Sequence, residues 1–291
     1  FTQVIVRAQS VAPTGHVQDA APVLVAFINA TLHLDARTVV PQGTLVVRNG
    51  VVIAAGEKVE VPPGAVVRDL QGLHVWPALI EPYSGFGLTP DKPEDRRNEQ
   101  RAAQHWNRAL RADAHAHALL RPDEKQAGEL RRQGFALVLA HRMDGIARGT
   151  SAAVLLNDAA VPKAVARPDL AAHFSFRKGS SPDDYPSSQM GAIALWRQAV
   201  LDARWYAAQP APAETDAVLA ELAAQLDGRV VAEAADRNEL LRWVRLFNEF
   251  KLAGIIKGGG DEYARLEQVR ATGLPLILPV NFPEAYDVED P

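Results

Sequence analysis

The chain has 291 residues, 47% hydrophobic and 23% charged, globular proportions that exclude a disordered chain. Its 31 basic and 35 acidic residues leave a formal charge of −4, which excludes an electrostatic footprint for nucleic acid or an anionic membrane. The absence of cysteine removes thiolate metal sites, thiol nucleophiles and disulfides together.

Residues 1–22 mix a short apolar run with Pro, Gly, Ser and Gln and read as an arm ordered only against something else. Residues 23–73 are strand-like throughout, with turns at Pro41-Gln42-Gly43, Asn49-Gly50 and Pro62-Pro63-Gly64. Asn49-Gly50 is the clearest hairpin signal, because a type I′ turn needs positive φ at both central residues. This block is expected to be a small β-sandwich domain or open barrel.

The stretch HVWPALIEP, residues 74–82, reads as a buried strand, followed by an acidic loop and a helical stretch from Pro93 to Gln133. Residues 135–141 and 150–157 read as strands, and 173–177 as a weaker one. Two helices follow, over 187–209 and 212–228, with Thr215 or Glu214 as the cap of the second. Beyond Gly228, apolar strands alternate with amphipathic helices: RVVAEA, DRNELLRWVRLFNEFK, LAGIIKGG, DEYARLEQVRATG, LPLILPVNF. That rhythm predicts parallel βα units. The expected fold class is α/β, with an incomplete TIM-barrel-like (β/α) domain over 74–291. No apolar run reaches the roughly 18–20 residues of a membrane span. Starting at Phe1, the chain reads as a processed product or fragment, soluble, with a periplasmic or secreted setting favoured.

Asn29-Ala-Thr-Leu-His, Gly43-Thr-Leu-Val-Val-Arg-Asn-Gly-Val-Val-Ile-Ala-Ala-Gly, Val61-Pro-Pro-Gly and Asp69-Leu-Gln-Gly-Leu-His-Val-Trp-Pro-Ala-Leu-Ile-Glu form a recognisable series. It is similar to the opening of metal-dependent amidohydrolases, closest to the imidazolonepropionase-like branch. Residues Ala232 to Pro279 resemble that family's later βα units. The resemblance implies an N-terminal β-sandwich, a (β/α)8 barrel and hydrolysis of non-peptide C–N bonds with zinc or another divalent metal.

The same resemblance exposes departures. The family ends strand 1 with Asp-x-His-x-His, and here Glu81-Pro82-Tyr83-Ser84-Gly85 stands there, with Tyr83 and Gly85 at the ligand positions. Glu233 aligns with the strand-5 histidine and Lys257 with the strand-6 one, while the strand-8 aspartate would lie beyond Pro291. A catalytic zinc needs about three protein ligands and one open position, so no cofactor is expected in this chain.

His115-Ala-His117 lies in an Arg-rich stretch read as helix, where residues i and i+2 point about 200° apart and cannot chelate one ion. His141 is delivered to a strand end, beside Arg142 and Asp144. Arg142, Arg148, Thr150 and Lys257, with the Gly258-Gly259-Gly260 loop, could bind an anion, though a tight βα turn explains the glycines as well. Glu81 and Glu233 could be an acid/base pair, or could pair with Arg142 or Lys257 as a salt-bridged plug. Trp196, Trp205 and Tyr206 read as core and interface anchors.

Three functions compete. The favoured one is a degenerate amidohydrolase-like half, a scaffold for a second amidohydrolase-like chain or downstream segment. The second is an active hydrolase using Glu81, His141, Asp144 and Glu233. The third is a metal-free barrel binding a small anion through Arg142, Arg148, Lys257 and Gly259.

Overall fold

A computed structural model of the chain describes residues 23–89, 105–157, 161–210, 212 and 214–280. The arm expected at 1–22 lies outside them. The chain divides into two compact units, 1–77 and 78–291.

In the first unit, β1 (Leu24–His33), β2 (Val39–Arg48) and β3 (Val51–Gly56) form an antiparallel meander. The strands β4 (Val66–Asp69) and β5 (His74–Val75) run parallel to β1. The β2–β3 turn has Asn49 at φ 50° and Gly50 at φ 81°, as the type I′ geometry requires. Ala26, Ala30, Leu32 and Val46 are buried on one side of this sheet. The described residues thus build one five-stranded sheet.

The strand expected over 74–82 is two strands. Pro77 carries no N–H for a ladder, and the chain breaks there into β5 and β6 (Leu79–Ser84), which belong to different sheets. Leu79 and Ile80 are 54% and 62% exposed because β6 is an edge strand, not a buried one.

The second unit continues with α1 (Ala116–Leu119), α2 (Glu124–Arg132), β7 (Phe135–Ala140), β8 (Ala147–Thr150) and β9 (Ala152–Leu155). Then come α3 (Val161–Ala164), β10 (Val165–Arg167), β11 (Ala172–Phe174), α4 (Gln189–Ala207) and α5 (Ala217–Leu226). The last elements are β12 (Arg229–Glu233), α6 (Arg237–Phe250), β13 (Ala253–Lys257), α7 (Leu266–Ala271) and β14 (Leu276–Ile277). The strands form two sheets, ordered β10-β9-β7-β6 and β14-β13-β12-β11-β8.

From β11 onward the ladder is parallel, as the apolar strands and intervening helices predict. The region before it departs from simple βα units. Ser151 donates its backbone N–H to Ala171 O at 2.9 Å. Of the strand expected over 150–157, residues 152–155 form β9, while Thr150 ends β8 in the other sheet. Both run antiparallel to a neighbour, β8 to β11 and β9 to β7. No closed barrel forms among the described residues.

The helix expected from Pro93 to Gln133 is, over its described part, only α1 and α2. Leu110 and His115 instead make parallel bridges to Ala147 and Thr150 on β8. Gly149 permits this approach. At φ 76°, a Cβ there would lie 1.8 Å from Ala114 O. The α5 cap is Asp216, not Thr215 or Glu214, and its carboxylate accepts from Leu219 N. Asp236 caps α6 by accepting from Asn238 N and Glu239 N, and Lys251 in the left-handed region ends it.

The main core lies where α4, α5 and α6 cover the parallel sheet. Trp243 stacks on Phe176 at 4.0 Å between centroids and meets Trp196 edge-on at 5.3 Å. Its indole N–H donates to Glu233 O at 3.0 Å, tying the core to the end of β12. Trp205 is exposed on α4 while Trp196 is buried, as their helical offset requires. The Trp243→Ala variant is expected to lose about 3–5 kcal/mol of stability, measured by urea unfolding. A loss below about 1 kcal/mol would contradict this packing account.

Candidate functional site

The carboxyl ends of β12 and β13 place Glu233 beside Lys257, in register across the ladder. Facing them are Arg148 from β8, Tyr83 from β6, His141 just past β7, and His173 on β11. Arg148 is only 2% exposed. Its Nη2 lies 2.8 Å from Glu233 Oε2, its Nη1 donates to the Tyr83 hydroxyl at 2.9 Å, and its Nε donates to Gly145 O at 3.1 Å. Lys257 Nζ adds a second cation, 3.7 Å from Glu233 Oε1 and 5.6 Å from the Tyr83 ring centroid.

These neighbours set the charge states. Burial pushes the Glu233 carboxyl up, but the charge and hydrogen bond of Arg148, with Lys257 and Arg177, hold it below its ordinary value. Burial raises the Tyr83 phenol, which stays protonated despite the opposing charge of Arg148. A Tyr83 ring edge meets His141 at 4.3 Å, and His141 stacks on His173 at 3.7 Å and 14°. His141 Nδ1–H donates to Arg142 O at 2.6 Å, since the carbonyl can only accept. His141 Nε2 and both His173 nitrogens are buried without a hydrogen-bond partner. Burial, reinforced by Arg148, lowers His141 to about 3; burial, then His141 and Arg148, lower His173 well below its ordinary value.

Other expected residues have different roles. Glu81 Oε1 accepts from Tyr83 N at 2.9 Å. Asp144 accepts from Ser180 N at 2.8 Å and Ser180 Oγ at 2.7 Å, and lies 3.9 Å from Arg142. Gly85, His141, Arg142, Met143 and Asp144 line a cavity of about 300 Å³. The glycine loop is used internally. Gly258 N donates to Ile277 O, Gly260 N donates to the Glu262 carboxylate, and a Cβ on Gly259 would lie 2.0 Å from Ala235 O.

The His115–His117 expectation is overturned. His115 is extended, at φ −104° and ψ 116°, and only His117 lies in α1. One donor atom from each of His115, His117 and Asp169 falls within 4.8 Å of the others, the one such group of three among the described residues. The bridge to β8 removed the helical geometry on which the opposite reading rested. His173 and Asp169 went unselected in the sequence. The alternation of HFSFR could have marked His173 as inward-facing, but nothing local links Asp169 to a histidine 54 residues earlier.

A scan against protein-family models finds no match, and a search of curated proteins finds none either. Among solved structures, an amidohydrolase from Thermotoga maritima matches with a TM-score of 0.70 and 18% identity, over 90% of this chain and 72% of that one. A prolidase solved with N-methylphosphonate-L-proline scores 0.40 at 14% identity, over 87% and 65%. The chain therefore shares a mixed α/β fold with an amidohydrolase.

The sequence resemblance would place a divalent metal here, and the residues around Glu233 do not fit one. The carboxylate is already matched by a guanidinium and an ammonium. Parallel stacked imidazoles hold their lone pairs in separate planes, where they do not converge on one ion.

The two buried histidines predict an acid sensitivity. In the unfolded chain each ring protonates as pH falls through about 6.5, whereas folded His141 stays neutral down to about 3. The unfolded state then holds more protons, so this stability is full above pH about 6.5 and declines below it by about 1.4 kcal/mol per unit per histidine. The His141→Gln variant should show a slope shallower than wild type by about 1 kcal/mol per pH unit between pH about 6 and 5. Equal slopes in urea unfolding would contradict neutral burial of His141.

Proposed function

We propose that this chain is a catalytically degenerate amidohydrolase-like unit, on the imidazolonepropionase-like branch, that acts as a scaffold for an active barrel. The observation that carries the reading is the Arg148–Glu233–Lys257 cluster, with the Tyr83 hydroxyl bonded to it. Tyr83, Glu233 and Lys257 are three of the positions where the resemblance expects metal ligands. A guanidinium there supplies the positive charge that a hydrolytic metal would bring, but it has no open coordination position and cannot acidify a bound water. The degenerate (β/α) barrel and the β-sandwich type of the first domain belong to the same reading.

The partner half of the proposal is supported by apolar residues on strand edges. Val51 and Val52 on β3, and Leu79 and Ile80 on β6, are more than half exposed, and among the described residues both strands are sheet edges. Exposed apolar edges of this kind are suited to another chain or segment. A second amidohydrolase-like chain, or a downstream segment of the same kind, is the partner proposed.

The test is hydrolysis of dipeptides and N-acyl amino acids by the purified full chain, with zinc, manganese or ferrous iron added. No release above buffer is expected. Turnover that disappears in Glu233→Gln or His141→Ala would contradict the proposal and favour an active hydrolase. The cluster should also behave as structure. Arg148→Met, which removes the cation nearest Glu233, is expected to cost about 3–5 kcal/mol in urea unfolding. A cost below about 1 kcal/mol would contradict a buried, fully engaged guanidinium.

A further inference from the structure

We propose that His115, His117 and Asp169 form a binding site for a zinc-like divalent cation, at the end of the sheet opposite the Arg148 cluster. This goes beyond the proposed scaffold function and does not depend on it. Asp169 precedes β11, and Thr150, bridged to His115, pairs with Ala172 at the start of that strand. Glu233 and Lys257 end β12 and β13, which run parallel to β11.

The ligand atoms already stand near the spacing that an ion needs. His115 Nδ1 lies 2.8 Å and His117 Nδ1 3.5 Å from the same oxygen, Asp169 Oδ1. Tetrahedral zinc, with bonds of about 2.0–2.2 Å, holds its ligands roughly 3.4 Å apart. His117 Nδ1 is buried and makes no hydrogen bond. Two imidazoles and a carboxylate are a donor set that first-row divalent ions such as zinc accept, and one that magnesium and calcium do not favour.

Outer groups already orient these ligands. The Thr150 hydroxyl donates to Asp169 Oδ1, and Glu221 Oε2 lies 3.7 Å from His115 Nε2. With Nδ1 on the ion, His115 Nε2–H faces a carboxylate, the arrangement that fixes the tautomer of metal-bound histidines. Asp169 takes a left-handed backbone, φ 48°, to turn its side chain toward the pair. His115, Asp169 and Glu221 also line a cavity of about 260 Å³, which leaves room for water on the remaining position. The three ligands come from the segment entering α1 and the loop before β11, so an ion here ties two stretches far apart in sequence.

The experiment uses the full chain without a histidine tag, stripped with chelator and desalted. Zinc chloride is titrated calorimetrically, and thermal unfolding is followed with and without zinc. One equivalent should bind with micromolar or tighter affinity, and excess zinc should raise Tm by about 2–6 °C. His117→Ala and Asp169→Asn should each weaken binding at least about tenfold and erase the thermal shift. His33→Ala, which disrupts the His33–His74 pair of the first unit, should change neither. Absence of heat and shift at millimolar zinc would overturn the site, leaving a His–Asp ion pair only. So would binding that survives both His117→Ala and Asp169→Asn. Neither result bears on the hydrolysis assay.

Discussion

The second unit is organised around one requirement, that each nitrogen of the buried Arg148 guanidinium must have a partner. Arginine does not give up its proton in a protein interior, and at 2% exposure it cannot rely on water. The fold answers with a carbonyl from its own loop, a phenol from β6 and a carboxylate from the end of β12. These partners come from both sheets of the unit, so the ionic cluster fixes their relation as firmly as the apolar core does. Trp243 completes the link, because the indole that packs against Phe176 also holds the backbone of Glu233.

Burial, reinforced by the same charge, explains the histidines around it. His141 and His173 stand where a second positive charge would meet Arg148 in a poorly solvated space, and they stay neutral. Stacking satisfies their faces while three nitrogens go without partners. Such orphaned polar atoms are costly, and they make this interior an arrangement of fixed charges and neutral rings, not a simple hydrophobic filling. The opposite end of the sheet has the converse character, with two partly exposed imidazoles drawn to an aspartate.

The sequence made some of this legible. Asn49-Gly50, the apolar strands beyond Gly228 and the burial of Trp196 each carry a local signal, and each appears where expected. The pairing of Glu233 with Lys257 was readable from the parallel βα rhythm, which brings neighbouring strand ends together. The failures come from interactions distant in sequence. Two backbone hydrogen bonds, joining Ser151 to Leu170 and Ala171, stand between β8 and β9, which lie in different sheets. The contact of Gly149 with Ala114 draws His115 out of a helix, and no periodicity within the histidine segment records it. Arg148 looked like a candidate for an external anion because its anion, Glu233, is 85 residues away along the chain.

The central claim is that paired cations, not a metal, match the charge of Glu233. Anomalous diffraction at the zinc edge, from crystals of the full chain soaked in zinc chloride, tests it most directly. The account predicts no anomalous peak between Tyr83, Glu233 and Lys257, with the Arg148 guanidinium still on the carboxylate. A peak bonded to Glu233, with Arg148 or Lys257 displaced, would contradict it.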